Sequence, residues 1–279
     1  MGRSENVMVF NHTKSIYENT PELRDAIKQS ILGQKLFFEN SPLLQAPQRY
    51  EAEASVIVSG KRTLQAASKY KGKKTCILNF ASATNPGGGV ERGSSAQEEA
   101  LCRCSTLFPC LMNDLQTKRN GFYAAHRANK EPLHNDDCIY TPNVIAFKSD
   151  EAYPKMLPPS WWYPVNVITC AAPNLRVNPR NQWNQDEADF TAVIEDSELK
   201  KLHEKRLRRI LDIAAAYQND VVILGAFGCG AFRNPPEIVA EAAAEVIKEY
   251  IHCFQTIEFA IYCADRVQTN YSVFQDALK

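Results

Sequence analysis

The sequence predicts an α/β fold, and three observations carry the prediction. Short apolar runs of strand length alternate with longer amphipathic segments, the pattern of strands layered against helices. Two of these runs, Thr75–Leu78 and Val221–Leu224, lead directly into glycine-rich stretches. Ligands in layered α/β folds sit outside the carboxyl ends of the strands, so both stretches are expected on one rim.

The elements follow in chain order. Lys14 to Asn40 is polar, with Leu23, Ile27 and Ile31 at helical spacing. Thr20-Pro21-Glu22 is a helix start, with Thr as cap and Pro at the first position. One or two helices are expected here, as a lid or buttress outside the central sheet. Ala54–Val58 reads as a strand, Arg62–Tyr70 as a short helix, and Thr75–Phe80 as the strand feeding the first glycine loop. Ser95–Cys110 is helical, and residues 112–137 are polar and irregular. Cys138–Phe147 and Pro164–Cys170 read as strands, separated by a loop rich in Pro and Trp. Gln185–Gln218 is a long amphipathic pattern, and within it the basic run Lys200–Arg209 is expected to be a solvated face. Val221–Leu224 is a fully buried strand, Pro235–Phe254 an alanine-rich helix, and Ile257–Cys263 a final strand before a short helix.

Composition narrows the function. The 279 residues suffice for one large α/β domain or two small ones, and no linker or repeat divides them. We expect a single folding unit, with residues 1–50 as a helical N-terminal extension packed on a core of residues 51–279. A formal net charge of +0 argues against a general nucleic-acid binder, which carries a basic excess. It leaves room for a protein that grips one unit of an anionic polymer in a local pocket. Nine scattered cysteines without a C-x-x-C pair read as reduced core thiols. The N-terminus lacks an apolar h-region, and no apolar run is long enough for a membrane span, so a cytoplasmic protein is expected. The histidines show no metal-ligand spacing, and neither a metal nor an organic cofactor is implied.

The chemistry concentrates between Leu78 and Leu111. Asn79 and Asn85 precede three glycines, Gly87, Gly88 and Gly89, and seven residues later come Gln97, Glu98 and Glu99. Glycines let a backbone approach phosphate oxygens and present bare N–H groups. Asn side chains donate to and accept from ribose hydroxyls. A carboxyl held beside that ribose is a proton donor for a departing sugar oxygen. A purely structural account also exists, since Ser95 and Glu98 fit a capping box and Glu99 and Arg103 an i,i+4 pair. Adjacent glutamates on a helix point about 100° apart, which is unsuited to the opposed carboxyl pair of an ordinary glycosidase.

NPGGG, seven residues, then QEE resembles the signature of the microbial-type poly(ADP-ribose) glycohydrolases, which are built on a macrodomain. Leu224–Pro236 resembles the family's second, phosphate-cradling glycine loop. The resemblance implies a macrodomain-like three-layer α/β/α sandwich with a mixed central sheet. It implies hydrolysis of ribose–ribose O-glycosidic bonds in poly(ADP-ribose), with ADP-ribosylated proteins as substrates and ADP-ribose as product. Glu99 takes the general-acid role and Glu98 the positioning role. Asn79 or Asn85 is expected on the distal ribose, with Gln97 beside it. Gly87 to Val90 is expected around the diphosphate, together with Gly225, Ala226, Phe227, Gly228, Cys229, Gly230, Ala231 and Phe232. Phe274 is a further candidate for stacking on adenine. Two other readings share the pocket: a non-catalytic ADP-ribose reader, and an enzyme that removes single ADP-ribose units. A reader has no need of the acid in QEE.

Overall fold

A computed structural model of the chain describes residues 1–118, 121–129, 131–176, 192–263 and 268–279. Its strands are β1 (Lys35–Phe37), β2 (Ser55–Ser59), β3 (Thr75–Phe80), β4 (Cys138–Ala146), β5 (Tyr163–Cys170), β6 (Val221–Leu224) and β7 (Thr256–Ala260). The helices are α1 (Arg3–Asn19), α2 (Pro21–Leu32), α3 (Thr63–Ala67), α4 (Gln97–Cys104), α5 (Leu107–Leu111), α6 (Asp114–Thr117), α7 (Phe122–Asn129), α8 (Asp196–Ala216), α9 (Pro236–Ile247) and α10 (Thr269–Ala277).

Among the described residues the strands form one seven-stranded sheet, in the order β1-β4-β5-β3-β6-β7-β2. It is mixed. β5, β3, β6, β7 and β2 run parallel, and β4 and β1 join antiparallel at one edge. Side-chain alternation along the strands supplies two cores. Cys76, Leu78, Val222, Leu224, Ile257 and Phe259 face α8, α9 and α10. Ile77, Val165, Val167, Val221 and Ile223 face the layer that contains Phe10, Leu64, Leu101 and Phe108. The expected three-layer sandwich with a mixed sheet holds.

The structure departs from the sequence reading in several elements. α1 begins at Arg3, not near Lys14, because its polar residues have tertiary partners. Buried Asn6 donates to the Gly93 carbonyl at 3.0 Å, and buried Thr13 to the Arg103 carbonyl at 2.6 Å. The N-terminal segment also adds a strand to the sheet, since β1 pairs with β4. Three residues are too few for a periodic signal. The helix expected over 95–110 breaks at Ser105, whose hydroxyl accepts the Leu107 N–H at 3.2 Å, while Thr106 N–H bonds the Ile145 carbonyl at 3.0 Å. Within residues 112–137, α6 and α7 form where Phe122 and Tyr123 are fully buried. Of the long pattern Gln185–Gln218, α8 covers the part from Asp196, and residues 185–191 lie outside the described residues.

The basic run on α8 is a further correction. Lys201 and Lys205 keep side chains 69% and 50% exposed, but His203, Arg206 and Arg209 are 3%, 2% and 3% exposed, so only part of the run faces solvent. Among the described residues, no helix is long and apolar enough to cross a membrane.

Candidate active site

β3 and β6 are hydrogen-bonded parallel neighbours, so the glycine loops that follow them emerge side by side on one rim. A cavity of about 320 Å³ opens along that rim. Gln97 and Phe80 line it on the β3 side, and Ala226, Phe227, Gly228, Gly230, Ala231 and Phe232 on the β6 side. Ile261, Tyr262, Lys61 and Arg62 extend it beyond the ends of β7 and β2.

The first loop is organised around the two glutamates. Glu98 and Glu99 lie in the first turn of α4, where the helix dipole favours negative charge. They are 3% and 7% exposed. Glu98 accepts the Ser82 N–H at 2.8 Å and the Asn79 amide at 3.3 Å. Glu99 Oε1 accepts the Gly89 N–H at 2.8 Å. Gly88 sits against both carboxyls with φ +60°, and a Cβ there would lie 2.5 Å from Glu99 Oε1. A side chain at 88 is therefore excluded by conformation and by space. Gln97 closes the strand end: its Oε1 accepts the Phe80 N–H at 2.9 Å and its Nε2 donates to the Leu78 carbonyl at 2.7 Å.

Burial pushes the Glu98 carboxyl up to about 8, with the neighbouring Glu99 charge adding to it and the Ser82, Asn79 and Gly87 contacts opposing. A carboxyl raised this far keeps its proton at neutral pH, so Glu98 is the protonated member of the pair. Within the pair the oxygens differ in access. Glu98 is bonded through both of its oxygens. Glu99 Oε2 has no protein partner among the described residues and is not sealed from solvent.

The second loop is built differently. Phe227 and Cys229 N–H groups bond inside the loop, to Gly225 and Ala226 carbonyls at 2.8 and 3.2 Å. The N–H groups of Gly228, Gly230, Ala231 and Phe232 take no partner among the described residues, and all four residues line the cavity. Unpartnered N–H groups gathered in one loop are the kind of feature that can hold an anion.

The structure thus gathers Gln97, Ala226, Phe227, Gly228, Gly230, Ala231 and Phe232 around the cavity and leaves the other expected residues, Glu98 and Glu99 among them, outside its lining. Asn79 is buried behind Glu98, bonded also to Thr169 at 3.3 Å. Asn85 donates within its own loop, to the Gly88 carbonyl. Gly87 to Val90 do not line the cavity. The Gly88 and Val90 N–H groups bond the Asn85 and Gly87 carbonyls, Gly89 holds Glu99, and Val90 is 1% exposed in the core. The first loop positions carboxyls where a second phosphate cradle was expected. Gly225 lies buried against Phe80, and Cys229 is half-buried outside the cavity lining. Phe274 is corrected outright: it is fully buried, with its ring centroid 5.7 Å from that of Phe259, and has no face for adenine.

Sequence reading missed Phe80, Lys61, Arg62, Tyr262 and Asp150 at the cavity. Phe80 packs on Phe227 with centroids 5.6 Å apart, and the Arg62 guanidinium lies 4.1 Å from the Tyr262 ring centroid. Asp150 accepts the Leu64 N–H at 3.0 Å with one oxygen and leaves the other buried without a partner. Position at or just past a strand end was the available signal for Phe80, Lys61 and Tyr262. Asp150 lies far in sequence from the other lining residues and carried none.

A family model for the microbial-type PARG catalytic domain matches residues 5–149. The X-ray structure of poly(ADP-ribose) glycohydrolase from Thermomonospora curvata is similar with a TM-score of 0.82 and 27% identity, over 99% of this chain and 100% of that one. The same organism's enzyme bound to the inhibitor ADP-HPD matches with a TM-score of 0.80 and 28% identity, over 98% and 99% of the two chains. The enzyme from Deinococcus radiodurans in complex with ADP-ribose matches with a TM-score of 0.74 and 29% identity, over 90% and 96%. No curated protein matches. The QEE carboxyls on the rim, the family match over half the chain and the end-to-end likeness to solved glycohydrolases agree, and the chain belongs to the microbial-type poly(ADP-ribose) glycohydrolases.

Proposed function

We propose that this glycosidase cleaves ribose–ribose O-glycosidic bonds of poly(ADP-ribose), including polymer on ADP-ribosylated proteins, and releases ADP-ribose. The observation that carries the mechanism is the asymmetry of the buried carboxyl pair. Glu98, with both oxygens engaged, is held in place and orients the ribose. Glu99 keeps one oxygen unengaged and is the proton donor. In its protonated form Glu99 passes its proton to the departing adenosine-ribose oxygen as the glycosidic bond breaks with oxocarbenium character. Water then adds to the anomeric carbon, and its proton returns to the carboxylate. The unpartnered N–H groups of Gly228 and Gly230 to Phe232 hold the diphosphate throughout, and Phe227 and Phe80 pack on the sugar or base. Nine free cysteines, seven of them buried, suit a reducing, cytoplasmic setting. Residues 1–50 and 51–279 act as one folding unit in this reading, β1 being the contribution of the first segment to the sheet.

Glu99→Gln tests the assignment. It keeps size and hydrogen bonding but has no acidic proton, so kcat on automodified poly(ADP-ribose) should fall on the order of 10²–10⁴-fold. Calorimetric affinity for ADP-ribose should stay near that of the wild type. Near-normal turnover by this variant would refute the mechanism. Wild-type protein that binds ADP-ribose and leaves the polymer intact would instead make the chain a reader.

A further inference from the structure

The cavity-lining N–H groups of the second loop owe their direction to a side chain just beyond it. Asn234 is 2% exposed and lies under the loop. Its Nδ2 donates to the Gly228 carbonyl at 3.1 Å and to the Pro173 carbonyl at 2.7 Å, and reaches the Phe232 carbonyl at 3.4 Å. Its backbone N–H bonds the same Gly228 carbonyl at 3.1 Å. Contact is close enough that a Cβ on Gly228, at φ +82°, would lie 2.6 Å from Asn234 Nδ2. The carbonyls of Gly228 and Phe232 are thereby drawn inward, away from the cavity that their residues line.

Asn234 is itself held by α8. Its Oδ1 meets His203 Nε2 at 2.9 Å. Three carbonyls around Nδ2 fix the amide orientation, so Oδ1 faces the imidazole and Nε2 carries the hydrogen. His203 is 3% exposed and lies well outside the cavity lining. Burial holds it neutral, with Arg206 adding to that and the Asn234 bond opposing. A neutral imidazole has a single N–H, and here it is committed to Asn234.

We propose that His203 is a positioning residue for diphosphate binding: through Asn234 it fixes the Gly228 peptide and so aims the N–H groups of the second loop at the ligand's phosphates. The inference deepens the reading in which that loop cradles the diphosphate. It assigns a role to a residue that touches neither substrate nor the glutamates. It also explains why a polar residue lies in the buried face of α8 directly beneath the loop.

The test compares His203→Leu, which removes the donor, with His203→Gln, whose Nε2–H can replace it. ADP-ribose affinity by calorimetry, kcat and KM on poly(ADP-ribose), and Tm are measured for each. H203L should weaken ADP-ribose binding about tenfold, the scale of one buried hydrogen bond, with KM rising more than kcat falls. H203Q should recover most of that affinity while losing a Tm increment similar to that of H203L. A purely structural role would move Tm and leave affinity untouched. Equal loss of affinity in both variants, or none in H203L, would overturn the inference. Should H203L fail to fold, Asn234→Asp keeps the acceptor for His203 and removes the donors to Gly228 and Pro173; unchanged affinity there would likewise overturn it. Wild-type protein that does not bind ADP-ribose would remove the diphosphate reading itself, and the inference with it.

Discussion

At the scale of single residues, the carboxyl pair sets both the chemistry and a pH signature of folding. Glu98 rises from an ordinary value of 4.5 to about 8 because burial disfavours its charged form, and the charge of Glu99 reinforces this. The folded state therefore holds a proton that the unfolded chain has already released. The stabilisation is fully present below pH ~4.5 and is lost as pH rises toward ~8, since the unfolded state then binds fewer protons. Glu98→Gln cannot ionise. Its Tm should change less than that of the wild type between pH 5 and pH 8.5, the difference growing toward the alkaline end. Fluorimetric melts across that range check this, and parallel curves would show that Glu98 is already ionised in the fold. Gly88 explains why the pair can exist so close to a backbone, because its φ of +60° lets the loop pass directly over both carboxyls.

Among the elements, α4 and α8 do work of different kinds. α4 is short and delivers QEE to the end of β3, with Gln97 occupying strand-end hydrogen bonds and the glutamates pointing under the first loop. α8 is long, and its buried polar heads hold the surrounding loops. His203 supports the second glycine loop, and Arg206 donates to the Asn135 and Leu133 carbonyls. Arg209 bonds Asp136 at 3.1 Å, the Glu39 carbonyl at 2.9 Å and the Ser41 carbonyl at 3.2 Å. Arg209→Met should destabilise by about 3 kcal/mol, the lower end for breaking a buried pair, because Lys205 remains 3.2 Å from Asp136 and compensates part of its charge. Lys201→Met, on the exposed face of the same helix, should shift stability by no more than about 0.5 kcal/mol. Urea unfolding of the two variants makes the comparison, and equal effects would mean that Arg209 is not the clamp its contacts describe.

For the whole molecule, the site is a product of strand order. β3 and β6 are far apart in sequence and adjacent in the sheet, which brings the end of β3, with Phe80 and Gln97, and the second glycine loop to two walls of one cavity. A ligand spanning both walls ties the two halves of the chain together. ADP-ribose at a hundredfold excess over Kd should therefore stabilise the fold by about 2.7 kcal/mol, read as a rise in Tm. Gly228→Val should abolish that rise, since at φ +82° a Cβ would press within 2.6 Å of Asn234 Nδ2 and 2.7 Å of Ala172 and force the loop out of place. Retention of the full shift in this variant would place the ligand elsewhere.

The sequence by itself determined the fold class, the order of strands from β2 onward, and the residues that name the chemistry. Strand alternation, strand-to-glycine junctions and the GGG-to-QEE spacing are local properties of the chain, and local patterns survive folding. Tertiary structure decided what each of those groups faces. Gly87 to Gly89 were legible as a loop, but only packing against α4 shows that Gly88 and Gly89 lie against the carboxyls. Phe274 was legible as an aromatic near the rim, but its ring is fully buried beside Phe259. The run KKLHEKRLRR read as solvent-facing because charge is normally solvated. Its buried members, His203, Arg206 and Arg209, find the Asn234 amide, four backbone carbonyls and the Asp136 carboxylate in segments far away in sequence, which no periodicity reports. β1 escaped notice for the same reason: three residues become a strand because β4 is there to pair with them.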